Sequence, residues 1–310
     1  MESYYRQVWL RTKKHGPWLL ASLALSFVIA KVGLEPLKIA LAQGPSSGLV
    51  PYVFVQVLTT LAADGFATRV SLSVVGLRFS TSRALLIRGT SYLAGLLNYG
   101  VGQGAVGYYL YQNGVKSVSA VGTVFFMILT NLFALVAASL VGACYLGASP
   151  LERLARALVL TSFVGFFLYL TILKILPRRY LCRPFLAPLA SAGVRGHLWA
   201  TLARLPHVIV LVVGHWGAMR LWGIAVPFSQ GVSLVSLSLL IAALPVSPNG
   251  LGTIQATQVL FFSRYAESVV DIQPSAIVLA FSLAYYCYGV VAQAAVGCVC
   301  LALMKRSLAE

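Results

Sequence analysis

The sequence predicts an all-α membrane protein with about eight transmembrane helices and two broken or re-entrant segments. Of its 310 residues, 59% are hydrophobic and only 10% are charged, and the mean hydropathy is +0.86. Apolar stretches recur along the whole length, and several reach the roughly 20 residues that a helix needs to cross a bilayer. Proline and glycine interrupt two of these stretches, which predicts a broken backbone at membrane depth. A soluble fold of this composition would need an implausibly large core.

Eight apolar segments account for the predicted crossings, and residues 1–310 are predicted to form a single membrane domain. Residues 1–16 are a basic N-terminal segment, and residues 177–197 are a basic connector rich in arginine. The mixed stretch Phe66–Arg88 is predicted to be a loop or an amphipathic surface helix. The eight segments are Pro17–Val32, Leu49–Ala63, a third that begins at Ala84, Val118–Leu146, Leu154–Leu176, Leu198–Val226, Val232–Leu244 and Ser275–Leu303.

The charge balance is strongly basic, with 23 Lys and Arg residues against 7 Asp and Glu residues and a formal net charge of +16. Nucleic-acid binding would place basic residues together on a soluble face, whereas here they occupy short loops between apolar segments. That placement is typical of cytoplasmic loops that face anionic lipid headgroups. We therefore expect membrane lipids and no nucleic acid as partners, and an integral protein of the bacterial cytoplasmic (inner) membrane.

The sequence contains no recognisable catalytic or metal-binding motif. The five cysteines form no CxxC pair and no cluster with histidine, so neither a metal site nor a cofactor is expected. No pair of inward carboxylates and no Ser-His-Asp or HExxH arrangement is present. The chain is therefore not expected to be an enzyme.

The most informative segment is Leu244–Ala256, where two prolines and two glycines follow an apolar run. In hydrocarbon, a broken backbone survives only where it is buried in protein or lines a wet cavity. A second break is predicted over the glycine cluster Gly95–Gly104. Its part Gly100–Ala105 and the segment Gly250–Ala256 share a Gly-x-Gly core with a nearby glutamine. Transporters often place two interrupted helices in corresponding halves, where they meet at a central substrate site. If one break is re-entrant, the arginines of the 177–197 connector return to the cytoplasmic side, as the positive-inside rule favours.

The predicted helix Leu198–Val226 carries a polar stripe. Arg204, His207, Leu211 and His215 are spaced i, i+3, i+7 and i+11, which places them along one face. Titratable groups at membrane depth are costly and usually face a bundle interior or water, so one interpretation is a polar lining for a headgroup path. The alternative is that Arg204 snorkels from a helix end while each histidine bonds a neighbouring carbonyl.

Four other polar residues lie in or beside apolar segments. Asp64 is interpreted as a loop-edge residue that ends the second crossing; the alternative is a pair with Arg69 or with an arginine of the lining. Asn131 and Gln293 are interpreted as interhelical hydrogen-bonding residues. Asn98 adjoins the first break and is a candidate site residue.

Residues 244–256 read Leu-Pro-Val-Ser-Pro-Asn-Gly-Leu-Gly-Thr-Ile-Gln-Ala. This segment resembles a signature of the transmembrane domain of lysylphosphatidylglycerol synthases and of the wider family of flippase-like integral membrane proteins. That family typically carries Leu-Pro-(Ile/Val)-Ser-Pro-Gly-Gly-Leu-Gly-Thr, a variable residue, Glu and Ala, so Asn249 replaces one glycine and Gln255 replaces the acidic residue. The apolar layout from about residue 15 to 304 also fits. The resemblance implies a domain that binds or moves lipids, in some members an aminoacylated phospholipid.

The first break departs from the family pattern. Relatives usually carry Pro-Gly-Arg-x-Gly-Glu and a further Arg, whereas this chain has Gly-Val-Gly-Gln-Gly-Ala at 100–105 and Tyr108. Because Arg is the natural partner of a phosphate, its absence there favours a neutral, hydroxyl-rich or bulky polycyclic lipid as much as an anionic one. Bifunctional relatives append a soluble aminoacyl-transferase domain that this chain does not contain, so no aminoacyl transfer is expected.

The sequence thus predicts a lipid transporter or flippase-like protein that binds a lipid headgroup at two interrupted helices, with a homodimer as one expected assembly. The alternative is a membrane-embedded accessory or scaffold subunit for a lipid-modifying enzyme or a glycosyltransferase. The candidate lipid-binding residues are Asn98, Gly100, Gly102, Gln103, Gly104, Arg204, His207, His215, Pro245, Ser247, Pro248, Asn249, Gly250, Gly252, Thr253 and Gln255.

Overall fold

The computed structural model describes residues 22–243, 250–267 and 272–309, and the predicted fold class is confirmed. The protein is 85% helical and has no strand in that part of the chain. Five helices are long and apolar enough to cross a membrane, as an integral membrane protein requires. The predicted count of eight crossings is not confirmed, because the other helices in the described ranges are shorter than a span.

Twelve α-helices are described, and a 3₁₀ turn at Ser263–Tyr265 follows the eleventh. The five long helices are α3, α6, α7, α9 and α12. The helices are α1 (Ser22–Val32), α2 (Leu34–Gln43), α3 (Ser46–Val74), α4 (Thr81–Gly95), α5 (Tyr99–Gln112), α6 (Ser117–Ala143), α7 (Pro150–Ile175), α8 (Arg178–Leu181), α9 (Ala187–Leu221), α10 (Phe228–Ala243), α11 (Thr253–Phe262) and α12 (Pro274–Ala309).

The second crossing does not end at Asp64, and the interpretation of that residue as a loop edge is wrong. Helix α3 continues through Asp64 to Val74, and Asp64 is only 1% exposed. The stretch Phe66–Arg88, predicted to be a loop or a surface helix, contains the end of α3 and the beginning of α4. A carboxylate can lie in the middle of a membrane helix only when it is paired, and two arginines pair with this one.

The basic connector at 177–197 is shorter than predicted. It contains the short helix α8, and from Ala187 it already belongs to α9. A kink interrupts α9 at Gly193, whose φ of 55° lies in the left-handed region that glycine tolerates. The buried His197 ring supports this kink, because Nδ1 lies 2.7 Å from the Gly193 carbonyl oxygen and Nε2 lies 2.8 Å from the Tyr169 hydroxyl.

Helices α4 and α5 form a tight antiparallel hairpin, which we call the first hairpin. The chain turns at Leu96–Asn98, and the Asn98 side chain accepts a hydrogen bond of 2.7 Å from the backbone N–H of Gly100. The outer ends meet again where Arg83 donates to Asn113 over 3.3 Å. Each arm is about 22 Å long, which is less than the hydrocarbon thickness. The turn lies within the predicted break Gly95–Gly104, whereas Gly100, Gly102 and Gly104 lie inside α5.

Helices α10 and α11 form the second hairpin. Its outer ends meet where the Tyr265 hydroxyl donates to Gln230 and the Ala225 N–H donates to the Tyr265 carbonyl over 2.9 Å. Gly250 and Gly252, just before α11, have φ values of 75° and 80°. The start of α10 and the end of α11 therefore lie on the same side of the protein, just as the two outer ends of the first hairpin lie together.

The two halves of the protein repeat one arrangement with opposite direction. Helices α3 and α9 run antiparallel, since Tyr52 donates to the Gly214 carbonyl near one end and Asp64 pairs with Arg204 further along. The first hairpin packs against α12 and the second packs against α6. One half thus consists of α3, the first hairpin and α6, and the other half consists of α9, the second hairpin and α12. Each hairpin packs against the last long helix of the other half. Inverted repeats of this kind are common in secondary transporters.

Small residues allow both hairpins to approach their partner helices closely. A Cβ atom built at Gly89 of α4 would lie 2.3 Å from the Cys300 Sγ of α12, and one at Gly142 of α6 would lie 2.5 Å from the Ser233 backbone nitrogen of α10. Across the second contact, the Ser233 hydroxyl donates to the Ser139 carbonyl over 2.9 Å. Close backbone approach at small residues is how helices associate without a hydrophobic driving force in lipid.

Candidate binding cavity

A cavity of about 290 Å³ lies where the two hairpins meet the long helices α6, α9 and α12. Its wall combines apolar side chains with an unusually rich set of polar ones for a membrane interior. The polar residues of the wall are Arg88, Tyr99, Gln103, Asn131, Arg204, His207, His215, Ser238, Gln258, Ser282, Tyr285, Tyr286 and Gln293.

The strongest electrostatic feature is a buried cluster of one carboxylate and two guanidiniums. Arg88 of α4 contacts Asp64 Oδ2 through Nε at 2.7 Å and through Nη2 at 2.6 Å. Arg204 of α9 contacts Asp64 Oδ1 through Nη1. All three residues are at most 8% exposed. The two arginines line the cavity, whereas Asp64 does not.

Helix packing explains why these three charges meet. Asp64 lies near the middle of α3, and the next residue, Gly65, brings α4 close enough that a Cβ there would lie 3.0 Å from the Leu85 backbone. Arg88 is one turn further along α4, and antiparallel α9 supplies Arg204 from the other side. Arg204 lies well inside α9 and is 2% exposed, so the alternative that it snorkels from a helix end is wrong.

The first hairpin extends this polar cluster along α5. Gln103 Oε1 lies 3.4 Å from Arg88 Nη1, and Tyr99 lies one turn before it on the same cavity wall. On α9, the Nδ1 atom of His207 is buried without a hydrogen-bond partner among the described residues. This side of the cavity is therefore positively charged and retains unused polar groups.

The residues of the second hairpin that the structure describes face the same cavity with neutral groups. Gln258 of α11 places its Nε2 atom 3.0 Å from His215 Nε2 of α9, so the amide donates to the ring. The His215 ring also lies edge-on to Tyr285 and Phe281, with centroids 4.7 and 5.5 Å away. Ser238 of α10 completes the neutral wall.

A second, smaller cavity of about 80 Å³ adjoins the first one between α3 and α12. Leu211, Tyr285, Gly289 and Gln293 border both spaces. The Tyr285 hydroxyl donates to Gln56 of α3 over 2.9 Å, so this side chain separates the two cavities.

The predicted site residues fall into three groups. Gln103, Arg204, His207 and His215 line the cavity, and so does Leu211 of the predicted stripe. A second group lies at the N-terminal end of the second helix of each hairpin. Its members are Asn98, Gly100, Gly102 and Gly104 at the beginning of α5, and Gly250, Gly252, Thr253 and Gln255 at the beginning of α11. Pro245, Ser247, Pro248 and Asn249 lie outside the described residues.

The predicted site residues at these helix starts hydrogen-bond to backbone groups or allow close helix packing, and they are not part of the cavity wall. The Gln255 side chain accepts a hydrogen bond of 2.6 Å from the Gly252 N–H, and the Thr253 hydroxyl donates to the Gly250 carbonyl over 2.9 Å. A Cβ at Gly102 would lie 2.8 Å from the Cα atom of Gly95, so this glycine closes the first hairpin. These contacts hold the hairpin shapes that the cavity requires.

Sequence reasoning missed several residues of the cavity wall. The sequence pattern places Arg88 in a loop or surface helix. The signal for its role is that its charge lies inside the apolar segment that begins at Ala84. Asn131 and Gln293, interpreted as interhelical hydrogen-bonding residues, both line the cavity. The Asn131 Oδ1 atom is buried without a partner among the described residues.

Comparison with known proteins adds no family assignment. No protein-family model matches the sequence, and no curated protein matches it. Among the described residues, no group of three or more His, Cys, Asp or Glu side chains is placed to hold a metal ion. The cavity and its charges are therefore the observations on which a function must rest.

Proposed function

We propose that this protein is a flippase-like lipid transporter. In this proposal the central cavity holds the polar headgroup of a lipid, and the two hairpins control its access to either leaflet. The observation that carries the proposal is the position of the cavity, because both hairpins contribute to one polar wall inside an apolar helix bundle.

The size of the cavity supports a headgroup as its occupant. Its volume of about 290 Å³ is at the lower end of the range for small-molecule sites. An entire lipid with two acyl chains is far larger than this space. The acyl chains would therefore remain outside the cavity, in contact with the bilayer.

The outer surface supplies a suitable environment for such chains. Large apolar side chains are exposed along the spanning helices, for example Val164 of α7 at 65% and Val291 of α12 at 68%. Exposed apolar area of this extent is unusual for a soluble monomer and normal for a surface that lipid covers. A lipid could thus keep its tails in the bilayer while its headgroup reaches the cavity.

The inverted halves support transport rather than static binding. Two hairpins of opposite direction around one site are the elements that alternating access uses in many secondary transporters. The resemblance of residues 244–256 to flippase-like proteins points to the same activity. Both arguments concern lipid movement and leave the chemistry of the headgroup open.

The experiment is leaflet exchange of fluorescent lipids in vesicles that contain the purified protein. Gly289 offers a way to fill the cavity, because it borders the cavity and a Cβ there meets no atom within 4 Å. We expect Gly289→Phe to abolish exchange while the protein remains folded. Gly165→Phe is the matched control, since Gly165 also has no atom within 4 Å but lies on an exposed face of α7.

The outcomes separate transport from a merely structural cavity. Exchange that is fast with the wild type and Gly165→Phe, and slow with Gly289→Phe, supports the proposal. Equal exchange in protein-free and protein-containing vesicles across several lipid classes would overturn it. Equal rates for both phenylalanine variants would show that lipids move by another route than the cavity.

A further inference from the structure

We propose, resting on the function above, that the headgroup is anionic, carrying a phosphate and no ammonium group, and that Arg88 and Arg204 bind that phosphate. The chemistry recognised is a compact anion bearing several acceptor oxygens. The proposal is carried by the distribution of charge around the cavity.

The first argument is the sign of the charge that faces the cavity. Arg88 and Arg204 belong to the cavity wall, and no Asp or Glu does among the described residues. Their shared counter-ion Asp64 is 1% exposed and lies behind them. One carboxylate cannot neutralise two guanidiniums, so the cluster retains a formal charge of +1. A buried charge without compensation is unfavourable, and an anion in the cavity would compensate it.

The second argument is the number of hydrogen-bond donors that remain. A guanidinium has five N–H donors. The Nε atom of Arg204 is buried and has no partner among the described residues. In the same part of the chain, the one hydrogen bond of Arg88 Nη1 is the long one to Gln103 at 3.4 Å. Arginine binds phosphate with paired, charge-assisted hydrogen bonds. The two side chains therefore hold unused donors suited to this anion.

The third argument concerns what the opposite wall can bind. Gln258 Oε1 of the second hairpin and Ser282 Oγ of α12 are buried without partners among the described residues. These neutral groups suit hydroxyls or ester oxygens attached to the phosphate. An ammonium group would find no carboxylate on this wall. The cavity thus favours an anionic phospholipid over the aminoacylated, cationic lipids that some proteins of the resembled family move.

Leaflet exchange tests the headgroup directly. Vesicles of phosphatidylcholine would contain the protein and one fluorescent lipid, either phosphatidic acid or phosphatidylcholine with identical tails. We expect the wild type to move phosphatidic acid at least about tenfold faster, because the ammonium group of phosphatidylcholine meets two arginines and no carboxylate among the described residues of the cavity wall. Arg204→Gln should remove this preference.

Arg204→Gln is chosen because it leaves Asp64 paired with Arg88, one negative charge with one positive charge. The variant should therefore fold, as a thermal unfolding measurement in detergent would verify. Arg204→Lys should restore part of the preference because it restores the charge. Arg69→Gln is the matched control, since Arg69 also belongs to a long helix, α3, but is exposed.

A binding measurement separates a lipid phosphate from free phosphate. The probes are dihexanoyl phosphatidic acid, dihexanoyl phosphatidylcholine and inorganic phosphate, each tested for its effect on the melting temperature. Stabilisation by the short-chain phosphatidic acid alone, lost in Arg204→Gln, supports the proposal. Equal stabilisation by inorganic phosphate would overturn the lipid as the source of the anion.

The remaining outcomes distinguish this proposal from the proposed function. Equal exchange of both fluorescent lipids by the wild type would overturn the recognition of an anionic headgroup and leave lipid transport standing. Binding of short-chain phosphatidic acid without any leaflet exchange would support the anion site and overturn lipid transport. In that case the anion site is present and the transport proposal fails.

Discussion

The two hairpins share an architecture and differ in chemistry. The first brings a charge to the cavity through Arg88, whose partner Asp64 lies on the neighbouring long helix. The second brings the amide of Gln258 and the hydroxyl of Ser238. A cavity with a charged wall and a neutral wall orients its occupant, because an anionic group prefers one side. In the proposed transporter, the repeat would therefore supply the shape of the site, and the divergence of the halves would supply its specificity.

The hairpins also differ in how glycine closes them. In the first, Gly102 packs directly against Gly95 of the other arm. In the second, Gly250 and Gly252 adopt positive φ values just before α11. One hairpin thus uses glycine for close helix packing, and the other uses it for backbone conformation. Substitutions should reveal these different needs.

The largest effect is expected for the charged side of the cavity. Asp64→Asn leaves two buried guanidiniums without their carboxylate, which should lower the free energy of unfolding by about 3–5 kcal/mol. Ser238→Ala on the neutral side should cost no more than about 1 kcal/mol, since its hydroxyl only donates to the Leu234 carbonyl of its own helix. Thermal unfolding of both variants in the same detergent measures the difference.

A double variant identifies the cause of that loss. Asp64→Asn combined with Arg204→Gln removes one of the two unpaired charges, so the double variant should be more stable than the sum of the single effects implies. Additive losses would mean that Asp64 stabilises the protein by some means other than its arginines.

The second largest effect is expected at the glycine contact of the first hairpin. Gly102→Ala places a methyl group 2.8 Å from the Gly95 Cα atom, and relief requires the arms to separate at a cost of about 1–3 kcal/mol. A Cβ atom at Gly104, two residues further along α5, meets no atom within 4 Å, so Gly104→Ala is the matched control. It should stabilise α5 slightly, because alanine has the higher helix propensity. Opposite signs in the melting temperature are the expected result, and equal signs would contradict the packing role.

The fold class and most long helices follow from composition and apolar length alone. The predicted segments Val118–Leu146 and Leu154–Leu176 coincide closely with α6 and α7. The stripe on α9 was also accessible, because helical periodicity determines which side chains share a face. Local pattern is enough where the property concerned belongs to a single helix.

The sequence offers the pairing of Asp64 with an arginine of the lining only as an alternative and does not predict Arg88 as a further partner, because the members of the cluster are distant in sequence. Asp64 is 24 residues from Arg88 and 140 residues from Arg204. An aspartate without a nearby partner in the sequence predicts the end of an apolar helix. The packed helices show that Arg88 and Arg204 neutralise Asp64 inside the bundle. For a related reason, the position of the turn within the predicted break Gly95–Gly104 does not follow from the sequence. Glycines that pack α5 against α4 have the same sequence signature as glycines that break a helix, whereas Asn98 marks the true helix start.

An intermediate effect is expected where the second hairpin is joined to α9. Gln258→Leu removes the 3.0 Å contact between Gln258 and His215, and interhelical hydrogen bonds in membranes contribute about 0.6–1.7 kcal/mol. A double-mutant cycle with His215→Leu isolates the interaction from the packing of each residue. A coupling energy indistinguishable from zero would mean that the contact does not hold the hairpin to α9.

The smallest effect is expected at the outer end of the second hairpin, where Arg264 contacts Glu152 of α7 over 2.7 Å. The Arg264 side chain is 41% exposed, so Arg264→Gln should cost no more than about 1 kcal/mol. Glu152 should keep its place in the variant, because it also accepts hydrogen bonds from Ser149 and from the Gly147 N–H.

Arg83→Gln provides the matched test on the first hairpin. There, Arg83 donates a hydrogen bond to the neutral side chain of Asn113, so the contact is not an ion pair. High salt screens an exposed ion pair, so the difference between wild type and Arg264→Gln should shrink at 1 M NaCl. The Arg83→Gln difference should not change with salt. The same salt response in both variants would show that the outer end of the second hairpin is not held by charge, and the contrast between the hairpins would then be confined to the cavity.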